Sequence, residues 1–102
     1  MAVKVTDVPE QHRYEARIDG ELVGFAEYRR GEGTITFTHD EVDEGAQGAG
    51  VGSALARYSL DAARAAGLLV HPECAFFAGW IERHPEYADL VHEDALHLGE
   101  ET

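Results

Sequence analysis

Apolar and polar positions alternate from Val3 to Val8, the period of a half-buried strand, until Pro9 and the polar residues 10–12 interrupt it. Alternation resumes over Arg13–Ile18 and sets Tyr14, Ala16 and Ile18 on one face; Asp19-Gly20 then reads as a hairpin turn. Residues 21–30 run back, residues 31–33 turn the chain again, and Thr34–Val42 places Ile35, Phe37 and His39 on one side. These segments predict an antiparallel meander of three to four strands.

The period then changes. Val51, Leu55, Tyr58, Ala62 and Ala65 follow the spacing of an apolar helix face, with Arg57, Asp61 and Arg64 opposite, spaced for Arg57–Asp61 and Asp61–Arg64 pairs. Gly67 suits a C-terminal cap. Residues 68–70 predict a short buried strand stopped by His71-Pro72, and a second helix over residues 74–84 presents Phe76, Phe77, Trp80 and Ile81. Pro85 opens a further short helix over residues 85–91, and the acidic residues 92–102 read as a frayed tail. The fold class that follows is α+β (mixed α/β), one domain over residues 1–102, with helices covering the sheet.

The chain of 102 residues carries a net charge of −12, from 20 acidic residues against 8 basic ones. Such a surface repels nucleic acid and anionic lipid, which makes both poor partners. No apolar run reaches the roughly 18–20 residues that span a bilayer, and residues 1–10 lack a signal peptide's basic and apolar regions. Cys74, the single cysteine, forms no internal disulfide, and the expected location is a reducing cytoplasm. The six histidines show no metal-ligand spacing, so no metal site is expected.

Between the last meander strand and the long helix stands Gln47-Gly48-Ala49-Gly50-Val51-Gly52-Ser53. A Walker loop needs a lysine after its closing glycine, and none follows here. A dinucleotide fingerprint needs wider glycine spacing and a βαβ setting. A helix start leaves about four N–H groups unpaired and carries roughly half a positive charge, so bare glycines there let an anion approach the backbone. A glycine-rich turn that merely caps the helix is the plainer reading.

Residues 47–52 match the Q/R-x-x-G-x-G/A pyrophosphate loop of the GNAT N-acetyltransferase superfamily. Together with residues 38–42, the His71-Pro72-Glu73-Cys74 stretch and residues 83–87, the chain resembles the small YjdJ-type acetyltransferase-like proteins. The resemblance implies coenzyme A as ligand, its pyrophosphate on Gln47, Gly48, Ala49, Gly50, Val51, Gly52 and Ser53. It implies that the pantetheine arm runs along the backbone of Glu41 and Val42. The activity it implies is transfer of acetyl from acetyl-CoA to a small-molecule or peptide amine; a coenzyme A-binding module without turnover is the alternative.

For the chemistry, His39 is a candidate base or a strand-end structural histidine, and Glu41 is a second candidate base. The resemblance puts Cys74 near the acetyl group, where a helix start would lower its pKa and make it a nucleophile; an inert packed thiol is the other reading. Many superfamily members protonate the leaving sulfur with a tyrosine where this chain has Phe76 and Phe77, leaving Tyr87 as a candidate from elsewhere. Arg83 and His84 could meet the coenzyme's 3′-phosphate or adenine end, or Arg83 could simply interact with the helix dipole.

Overall fold

Short turns fix most of the sheet. In the computed structural model, which describes residues 2–92, Asp19 and Gly20 both adopt positive φ and close a two-residue hairpin, as the right-handed twist of paired strands favours. The strands are β1 (Lys4–Val8), β2 (Arg13–Ile18), β3 (Glu21–Gly31), β4 (Thr34–Val42) and β5 (Leu69–Pro72), in the order β1-β2-β3-β4-β5. The first four pair antiparallel, and β5 joins β4 in parallel. Helix α1 (Val51–Ala65) makes the crossover between β4 and β5, and α2 (Ala75–Arg83) follows β5. The short helix read over residues 85–91 is a 3-10 segment, Pro85–Leu90.

One face of the sheet carries the core. Tyr14, Ala16, Ala26, Tyr28, Ile35 and Phe37 are buried there against Leu55, Leu60, Phe77 and Trp80 of the helices. Phe37 stacks on Phe77 with ring centres 4.3 Å apart, and Tyr14 meets Tyr58 of α1, so both helices lie on the same face. Among the described residues, no helix packs over the opposite face, with Arg13, Glu15, Arg17, Phe25 and His39.

Three sequence expectations change. The buried side of α1 is Val51, Leu55, Ala56, Ser59, Leu60 and Ala63, rotated from the expected stripe; Tyr58 is 47% exposed and Ala65 is exposed. The expected Arg57–Asp61 and Asp61–Arg64 pairs do not form. Arg57 and Asp61 both bond the Tyr87 hydroxyl, while Arg64 pairs with Asp89 at 2.8 Å. Strand β5 also runs through His71 to Pro72, which occupies its terminal position where a missing N–H is tolerated. The Gly67 cap is present, with Leu68 N–H on Ala63 O and Gly67 N–H on Arg64 O. Beyond it, Val91 bridges Val70 of β5 in parallel. The expected frayed tail falls, apart from His92, outside the described residues.

Candidate active site

A single extra residue in β4 shapes the site. Tyr28 pairs with Phe37 and Glu27 with His39, so Thr38 has no partner on β3 and forms a β-bulge. Its hydroxyl bonds Glu27 O. Because side chains alternate along a strand, the extra residue exchanges the faces of everything after it. His39, expected to continue the Ile35–Phe37 face, turns to the uncovered side with Glu41; Asp40 and Val42 turn towards the helices. His39 Nε2 lies 2.9 Å from Glu41, and that bond holds its pKa above the ordinary histidine value. A histidine so placed keeps its proton to higher pH than a free one, so less of it is neutral and able to accept a proton near neutrality.

Strands β4 and β5 part company just past the bulge. Their last pair is Phe37 with Pro72, and Cys74 N–H closes the ladder on Phe37 O. Among the described residues, no strand lies on the β5 side of the β4 main chain beyond that point. Asp43 N–H bonds Val23 O, and Glu41 O lies 2.9 Å from a Cβ built on Gly24. Glu41 and Asp43 therefore spend their backbone groups on β3, and alternation turns those of Asp40 and Val42 to the open side. Of the two residues expected to line the cofactor arm, Val42 faces the opening and Glu41 does not. Asp40 was not singled out from the sequence.

At the top of the opening lies the glycine loop. A 3-10 segment, Glu44–Ala49, runs into α1 through Gly50, which adopts φ +78° and caps both pieces. Only a residue without a β-carbon accepts that conformation cheaply. Among the described residues, the N–H groups of Val51, Gly52 and Ser53 make no backbone hydrogen bond; the first helical one is from Ala54 to Gly50 O. A Cβ at Gly48 or Gly50 would stand in open space, whereas one at Gly52 would lie 3.0 Å from the Phe76 ring. Gln47 and Ser53 are exposed and Ala49 half-buried. Ser53 Oγ accepts a bond from Trp80 Nε1 at 3.2 Å, which ties α1 to α2.

Cys74 sits at the base of the opening as the N-cap of α2. Its thiol donates to Asp40 Oδ1 at 2.9 Å. Burial first, and then the Asp40 bond, push its pKa above the ordinary thiol value, against a smaller pull from the Phe77 and Phe76 amides. The expectation of a thiol acidified by the helix start is thus reversed: the resting group is S–H. Tyr87 is not at this place, since its hydroxyl donates to Asp61 at 2.6 Å on α1. Arg83 is exposed and lies back over Gly79 within its own helix, while His84 stacks on Trp80 at 3.7 Å.

The strand opening thus brings together Val42, Asp40, Cys74 and the start of α1, but not the side chains of His39 or Glu41. Two surface cavities flank this place: one of about 720 Å³ borders Asp7, His12 and Thr38, and one of about 500 Å³ borders Asp19, Glu21 and Asp43 and reaches Ala46 and Ala49 of the glycine loop. Among the described residues no three His, Cys, Asp or Glu side chains are grouped to hold a metal ion, and no helix is long and apolar enough to cross a membrane.

Comparisons with known proteins bear on the family and the fold. The family model described as GCN5-related N-acetyl-transferase matches residues 13–90. The solution structure of a GCN5-like protein from Staphylococcus aureus superposes with a TM-score of 0.69 at 20% identity, covering 87% of each chain. No curated protein matches the chain.

Proposed function

As the chain belongs to the GCN5-related N-acetyltransferase family, we propose that it transfers an acetyl group from acetyl-CoA to an amine borne by a small molecule or a peptide. The observation that carries this reading is the adjacency of two features: unpaired amides at the start of α1, and the unpaired β4 main chain where β5 departs. The first suits a diphosphate, with Gly48 and Gly50 leaving the approach clear and the helix dipole favouring negative charge. The second offers the extended backbone of Val42 to an amide-bearing arm, as a missing strand would be offered.

Acetyl-CoA supplies the activated acyl group. Gln47, Gly48, Ala49, Gly50, Val51, Gly52 and Ser53 hold its diphosphate, with Arg83 at the 3′-phosphate end. The Phe76 and Phe77 rings wall the opening from the helix side, Phe77 buried against Phe37. His39 and Glu41 face the other side of the sheet, where a cationic acceptor meets carboxylates before it reaches the bulge. The YjdJ-type subfamily and a cytoplasmic location accord with this reading. Oligomeric state plays no part in it.

Isothermal titration with coenzyme A tests the loop. We expect saturable binding, lost in Gly50→Glu, which places a side chain and a negative charge before the amides. Unaltered affinity in that variant refutes the assignment. A second reading, a coenzyme A-binding module without turnover, rests on phenylalanines at positions 76 and 77 and on Tyr87 being engaged by Asp61. Binding without thiol release across a panel of amines would establish it.

A further inference from the structure

We propose that Asp40 is the positioning residue that keeps Cys74 an S–H donor aimed into the strand opening, so that Cys74 serves as a proton donor in the transfer and not as its nucleophile. The inference rests on the acetyl-transfer reading above and deepens it. It starts from geometry. The Thr38 bulge delivers the Asp40 carboxylate to the helix side of β4, directly across the opening from α2. There it meets Sγ at 2.9 Å, and among the described residues no arginine, lysine or histidine forms a salt bridge with it. A carboxylate with no salt-bridge partner, which His39 reaches only across the strand, opposes any second negative charge at hydrogen-bond distance, so the thiol keeps its proton.

The other groups around Cys74 leave that balance in place. Just past β5, Glu73 turns to Arg29 at 3.6 Å. From α2 come only the main-chain amides of Phe76 and Phe77, whose pull is the smaller. Towards α1 stands the Phe76 ring on Gly52, which is uncharged. On β4, His39 and Glu41 are on the far face.

The step balances. The neutral amine nitrogen forms the C–N bond to the acyl carbon, and the C–S bond to the departing sulfur breaks. Cys74 gives its proton to that sulfur as it leaves. The Cys74 sulfur then takes up the proton released by the new nitrogen–carbon centre, with Asp40 raising its basicity. The thiol is restored, and no acyl group rests on the protein. This supplies the acid that Phe76 and Phe77 cannot.

Because the protein has one cysteine, the rate of iodoacetamide alkylation against pH reports this thiol alone. In the unaltered protein the midpoint should lie above that of an ordinary thiol. Asp40→Asn keeps an oxygen acceptor and removes the charge, and should lower the midpoint by roughly one pH unit. On incubation with acetyl-CoA, Asp40→Asn should gain the mass of one acetyl group on Cys74, while the unaltered protein stays unmodified. An unmoved midpoint in the variant, a midpoint at or below the ordinary value in the parent, or an acetylated parent overturns the proposal. Loss of coenzyme A binding in the unaltered protein would instead overturn the reading it rests on, even with the midpoints as expected.

Discussion

Glu15 shows how one residue can be buried on the sheet face away from α1 and α2. It is 7% exposed because Arg13 and Arg17 each close on one of its oxygens at 2.8 Å, with Arg13 lying over the Phe25 ring. The guanidinium bond from Arg13, and then that from Arg17, hold its carboxyl below the ordinary glutamate range. A lowered folded value stabilises the protein above the unfolded pKa, and the gain is lost as pH falls through the folded value. Glu15→Gln should therefore cost about 1 kcal/mol at neutral pH, the low end for charge-assisted bonds because both arginines meet water. The deficit should vanish in acid, as urea unfolding midpoints at the two pH values would show. The alternation that assigned Tyr14, Ala16 and Ile18 correctly is the same signal that misplaced His39 and concealed Asp40. Thr38 fits an alternating strand as well as any threonine does; what makes it a bulge is the register of β3 beside it, which no local pattern records.

The elements were legible where their ends are chemically marked. Asp19-Gly20 and Gly67 take the positive φ their residue types permit, and strands and helix stop there. The facing of α1 was less legible, because its buried side includes Ser59, whose hydroxyl is satisfied by Leu55 O and Ala56 O. A polar residue content to bond its own helix leaves no apolar mark, so counting apolar residues rotates the stripe towards Tyr58. Strand β4 carries the prediction that belongs at this scale. Inserting one alanine between His39 and Asp40 shifts the alternation by one, turns Asp40 and Val42 to the wrong face, and should weaken coenzyme A binding by roughly tenfold or more, about 1.4 kcal/mol. The far-ultraviolet circular dichroism should stay that of a folded α/β protein. Binding within a factor of two of the parent would show that the facing of Asp40 and Val42 does not set the site.

At the scale of the molecule, a chain of net charge −12 binding a polyanion works against its own field. Local amide dipoles at the start of α1 act over the first turn, whereas the repulsion from the surface acts over about a Debye length, ~8 Å at physiological ionic strength. Adding salt screens the second more than the first. Affinity for coenzyme A should thus hold or rise between low and moderate salt, instead of falling as it does for basic anion-binding proteins; a steep fall on titration would mean that arginine side chains, not the backbone, dominate. That helices cover the sheet was readable from the change of period, but their gathering on one face and the splay between β4 and β5 were not. It arises where a parallel strand ends early, at Pro72, and strand length depends on partners far apart in sequence.

The Val70–Val91 bridge has a consequence for assembly. Strand β5 is the last of the sheet, and its outer rim would otherwise invite any extended peptide to add on, including β5 of a second copy. Val91 occupies the first rung, and His92 N–H takes the carbonyl of Val70 at 2.9 Å. The chain thus supplies its own stopper against sheet growth on that side, a safeguard that a version ending at Leu90 would lack.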